Sequence, residues 1–234
     1  MRPAPPASRL PRADRYATPE RLRPELALLV FAASFAVFQH VPSFAGGAAD
    51  YVDLVTPFAV AGATSLVLLS LRAAPAAIAL ALVAGILYVD GHGIHLAANS
   101  IGHETLAGEA EDVTHFWDEV FGHIEWHTGW MLLIVAVGVA EALSGARRTA
   151  WPPSRSIAVA TTAILGFTLF TSTVEGGTWW LAAATAAVVL VWAARARRPL
   201  LVTLAGAFAT SSLLMIVWAI WQRGMPQFSD LGWL

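Results

Sequence analysis

The chain contains no cysteine and no lysine, and all 14 of its basic residues are arginine. Without cysteine there are no disulfides, thiolate metal sites or cysteine nucleophiles. Without lysine there is no Schiff base to retinal or pyridoxal phosphate, and a rhodopsin-type function is excluded. Charge is scarce as well: 13% of residues are charged, against about 25% in a soluble domain. The net charge of −2 leaves no basic footprint for nucleic acid. Hydrophobic residues instead make up 57% of the 234 residues, and mean hydropathy is +0.62. One soluble core cannot hide that surplus, so the chain belongs in a bilayer.

Apolar runs of about 17–25 residues read as membrane helices, and seven are predicted. They run near Leu26–Phe44, Leu54–Leu71, Ala76–Ser100, His115–Leu143, Ile157–Thr173, Thr178–Ala194 and Leu200–Trp221. The breaks between them carry turn or charge signals, such as Gly46-Gly47 and Arg195 to Pro199. The expected fold is an all-α polytopic membrane bundle of about seven transmembrane helices. Residues 1–24, rich in arginine and proline, read as a flexible cytoplasmic tail. Residues 25–223 form the transmembrane domain, and residues 224–234 a short exoplasmic stub. The first span is full length and follows a long tail, so it reads as a retained helix rather than a cleaved signal. Arginine placement sets the orientation. Seven alternating spans put Arg72, Arg147, Arg148, Arg155, Arg195, Arg197 and Arg198 on one side, where the tail also lies, and leave Arg223 on the other. That side is cytoplasmic, the C-terminus is exoplasmic, and the expected location is a bacterial plasma membrane.

Six of the seven histidines lie between residues 92 and 127, in spans three and four and their connection. A helix turns about 100° per residue, which puts His92, His95, Asn99 and His103 within about 80° of one another. His115, Glu119, His123 and His127 recur every four residues and form a stripe about 120° wide. The stripes also match in depth. Paired as antiparallel neighbours, His92 with His127, His95 with His123, Asn99 with Glu119 and His103 with His115 have almost constant sums of residue numbers. A hairpin of spans three and four would therefore carry four facing polar rungs, with its turn in the acidic segment 104–114. His92 lies 17 residues beyond Pro75, about 25 Å along a helix. That places it near the far edge of a hydrocarbon core about 30 Å thick.

Imidazole is a ligand for zinc, copper, iron and nickel. His92, His95, His123 and His127 suffice for one tetrahedral site, and Glu119 is placed to be a ligand or the base that takes a proton from water. His103 and His115 could complete a second site with Glu119. Asp118 and Asp90 fall off the stripes but could orient imidazole N–H groups from behind, with Asn99 as a further polar neighbour. A zinc hydrolase acting on a lipid-like substrate at the lipid–water boundary is the leading expectation. The alternatives are a di-iron or copper oxidoreductase, a haem held by facing histidines, a metal or proton conduit, and plain hydrogen-bonded interfacial histidines. A conduit along this helix pair is disfavoured because Ala76–Leu87 and Leu132–Ala140 contain no ionisable residue. On other spans, His40, Asp50, Asp53, Thr171, Ser172, Thr173 and Glu175 gather on the same side as a polar vestibule or as ordinary helix ends. The tryptophans read as an interfacial belt, and the arginine loops as contacts to membrane lipids.

The segment His123-Ile124-Glu125-Trp126-His127 resembles the H-x-x-x-H motif of the alkaline ceramidase and progestin/adiponectin receptor superfamily, and Asp118-Glu119 resembles the Asp-Glu pair of its ceramidase branch. In that family the motif lies on the last of seven spans; here it lies on the fourth. The resemblance implies zinc held by three histidines, namely His123, His127 and one of His92 or His95. It also implies water attack on a lipid amide or ester.

Overall fold

The computed structural model describes residues 22–40, 49–102, 107–144 and 154–233. The expected N-terminal tail lies almost wholly outside them, as do His103, Arg147 and Arg148. Among the described residues there is no strand. The helices are α1 (Pro24–His40), α2 (Ala49–Asp53), α3 (Thr56–Leu71), α4 (Pro75–Gly102), α5 (Glu109–His115), α6 (His123–Leu143), α7 (Arg155–Glu175), α8 (Trp179–Ala196) and α9 (Pro199–Gln222). A π-helical segment, Phe116–Gly122, joins α5 to α6, and a short 3-10 turn, Ser229–Leu231, ends the chain. Proline opens α1, α4 and α9, where its missing N–H would have no helical partner in any case.

Six helices are long and apolar enough to cross a membrane: Tyr51–Leu71, Pro75–Gly102, Glu109–Leu143, Arg155–Glu175, Trp179–Ala196 and Pro199–Gln222. The expected set of seven thus resolves into these six and the shorter apolar α1, 17 residues as described. The outward surface supports membrane integration. Phe58, Leu69 and Ile220 are each more than 70% exposed, and large apolar faces of this kind need lipid around them. The chain is an integral multi-pass membrane protein.

The α6 helix is the centre of the bundle, in contact with α3, α4, α8 and α9. Its Trp130 stacks on Phe35 of α1 at 4.7 Å between ring centroids. At the other end of α6, the buried Glu141 carboxylate accepts the backbone N–H groups of Leu200 and Leu201 at 2.9 and 2.8 Å. This caps α9, whose first N–H groups would otherwise be orphaned in a buried setting.

The pairing of α4 with α6 is the most extensive in the molecule. It depends on glycine. A Cβ at Gly91 would collide with the Trp126 backbone, one at Gly129 with the Tyr88 backbone, and one at Gly122 would sit 3.1 Å from the His95 nitrogen. The close approaches Gly91/Trp126, Tyr88/Gly129 and His95/Gly122 obey one antiparallel register, one residue short of that expected from the histidines. Spans three and four do pack as neighbours.

Candidate functional site

The histidine-bearing ends of α4 and α6 meet at the start of α6. His95 and His123 face each other with ring centroids 4.6 Å apart, which realises one of the four expected rungs. His123 in turn stacks on His127 at 5.7 Å. The three imidazoles form a continuous row.

Each ring in the row has its Nδ1 beside an oxygen. His95 Nδ1 lies 2.5 Å from Asp118 Oδ1. His123 Nδ1 lies 3.2 Å from the Glu119 carbonyl oxygen and 3.4 Å from Glu119 Oε2. His127 Nδ1 lies 2.5 Å from Thr178 Oγ1, at the entrance to α8. The Glu119 carbonyl only accepts, so the His123 contact places a proton on Nδ1; the approach of Asp118 to His95 Nδ1 is a close charge contact without hydrogen-bond alignment. His127 Nε2 is buried and has no partner. His92 is tied the other way round: its Nε2 donates to Asp53 Oδ1 at 2.9 Å.

The expected rung of His92 with His127 does not form. The Trp126 indole fills that space, with its centroid 4.8 Å from His92, 5.2 Å from His95 and 5.2 Å from His127. His92 turns away to Asp53 and His127 to Thr178. Asp118, expected off the stripe, contacts His95 directly, whereas Glu119 reaches only His123 of its own chain segment. The physical reason is the π segment. Bonding from i to i+5 packs an extra residue into the turn and rotates everything before it by about 100° relative to an α-helix. Asp90 is a second correction: it is exposed and meets Glu125 rather than an imidazole. His115 is exposed at the end of α5, and Asn99 is half-buried on α4 one turn beyond His95. His103 lies outside the described residues.

Three participants were not singled out from sequence. Asp53 had been grouped with the vestibule, although a carboxylate opening a span is itself a signal. Thr178 precedes Trp179-Trp180 and had no separate signal. Gly176 is the third: a Cβ there would stand 2.6 Å from His127 Cε1 and 3.3 Å from His123 Cγ. The α7–α8 turn therefore closes directly over the two α6 histidines.

The donor set, imidazoles with oxygens behind them, is of the kind that supports metal-bound histidine. Among the described residues, however, no three His, Asp or Glu groups converge on one ion position. Binding would require ring rotation within the row. No protein-family model, curated protein or solved structure matches this chain.

Proposed function

We propose that this protein is a seven-helix membrane metalloprotein, N-terminus cytoplasmic, whose exoplasmic His95, His123 and His127 bind one divalent transition ion, zinc by preference. The observation that carries the reading is the row of three adjacent imidazoles, each with Nδ1 beside an oxygen and with the buried Nε2 of His127 unpartnered. An unpaired buried polar nitrogen costs about 1–3 kcal/mol, and a ligated ion removes that cost. The opposite tie of His92 favours His95 as the third ligand. Asp118, Glu119 and Thr178 orient the rings.

The reaction class we propose is hydrolysis of an amide or ester in a lipid-like substrate. The ion supplies polarisation of water and of the substrate carbonyl. Glu119, with 37% of its side chain exposed, is the open carboxylate of the cluster and serves as general base. It takes the proton from the attacking water and returns it to the departing amine or alcohol as the C–N or C–O bond breaks.

The test is metal analysis of the purified full-length protein beside His123→Ala and His127→Ala. Near-stoichiometric zinc in the parent and loss in both variants is expected. Substoichiometric metal throughout, or retention in both variants, overturns the reading. A coloured or paramagnetic preparation transfers it to iron or copper and to oxidoreductase chemistry.

A further inference from the structure

At the same end of the bundle as the histidines, α1, α7 and α9 border an open-sided cavity of about 750 Å³, within the range of small-ligand sites. Its lining is graded. Phe167 and Leu214 lie about two turns in from the ends of α7 and α9, Trp218 and Trp221 stand nearer the helix ends, and Gln39, His40, Thr171 and Ser172 supply polar groups. The C-terminal segment covers it. Glu175 Oε2 accepts the Phe228 N–H at 2.7 Å, the Glu175 carbonyl accepts from Gln227 Nε2, and Phe228 packs on Trp218 at 4.8 Å.

One hydroxyl in the wall behaves unlike its neighbours. Thr168, Thr171 and Thr173 of α7 all turn back to carbonyls of their own helix, the usual fate of a hydroxyl in an apolar setting. Ser172 does not. It is 3% exposed, and its Oγ has no partner. Among the described residues it is the cavity-lining side chain with an unpartnered buried polar atom. A buried hydroxyl left unpaired is costly, and a ligand hydroxyl or amide at this position satisfies it.

We propose that this cavity binds a single-chain amphiphile from the adjoining leaflet. Its alkyl chain lies along Phe167 and Leu214, and its uncharged hydrogen-bonding head sits at Ser172 and Thr171. Glu175 is committed to the C-terminal segment, so the head needs no positive charge. The site is separate from the histidine row, with the α7–α8 turn between them, and it stands without any metal.

The probe is hexadecylglycerol carrying a chain diazirine, an ether lipid with hydroxyls and no ester to cleave, added to the full chain in phosphatidylcholine vesicles. Photolabelling is expected on Phe167, Leu214 and Trp218, competed by unlabelled hexadecylglycerol but not by hexadecane. Leu214→Trp should abolish the competed label. Ser172→Ala should weaken competition by about fivefold, the loss of one hydrogen bond, while His123→Ala leaves it unchanged. Label spread over the outward Ile216 and Ile220, or label that excess hexadecylglycerol does not displace, overturns the proposal. So does unaltered labelling in both cavity variants.

Discussion

A carboxylate 2.5 Å from His95 Nδ1 occupies the space in front of that nitrogen and leaves Nε2 as the one open to a ligand. Removing that preference without removing the side chain isolates its effect. Asp118→Asn keeps the volume and loses the charge beside Nδ1. Zinc titration of this variant should show affinity lowered about 10–100-fold, the usual range for backing carboxylates, with the thermal transition little changed. Unaltered affinity would remove Asp118 from the site. Glu119→Gln, by contrast, leaves the ligand row in place and should retain metal. The pairs at this scale were partly legible in sequence. The facing of His95 and His123 follows from spacing alone, because both stripes are regular on either side of the join. The partners Thr178 and Asp53 were not legible, since each depends on how a third helix packs against the pair.

The helix pair depends on glycines that let two backbones touch. Gly91 and Gly129 lie on opposite helices about one turn apart in depth, and a methyl at either meets backbone rather than a yielding side chain. Gly129→Ala should therefore destabilise the protein by about 1–3 kcal/mol, the range for overpacking. Calorimetry or detergent-challenge unfolding measures this directly. The same variant should lengthen the separation of His95 and His123 and weaken metal binding in parallel. Gly85→Ala, where an added Cβ meets nothing within 4 Å, is the matched control. The spans themselves were legible because lipid demands long apolar runs with internally satisfied backbone. The π segment was not. Wheel arithmetic assumes one residue spacing throughout, and nothing in Phe-Trp-Asp-Glu-Val-Phe-Gly announces an extra residue per turn, so the direct approach of Asp118 to His95 was not legible.

Among the described residues the bundle has two ends of different chemistry, with Arg72, Arg155, Arg195, Arg197 and Arg198 at one and the histidines, with Glu119, Glu175 and the single Arg223, at the other. The natural absence of cysteine makes the orientation directly measurable. A membrane-impermeant maleimide should label Glu109→Cys in intact cells and Ser156→Cys only after permeabilisation; the reverse pattern inverts the topology. The α8 helix gives the scale for depth. Its 18 residues span about 27 Å, close to the hydrocarbon thickness, with Trp179 and Trp180 at one end and Arg195, Arg197 and Arg198 at the other. Thr178 stands just before the tryptophans, so the proposed orientation would put the His127 it holds at the hydrocarbon boundary. His95, His123 and Glu119 would then lie a turn or two farther out, among lipid headgroups. At that depth molecules dissolved in the leaflet would approach this end of the bundle, where Glu119 is the open side chain, by lateral diffusion. Their encounter rate is set by number per unit area of membrane, and a compound almost insoluble in water meets the cluster as readily as its surface density allows.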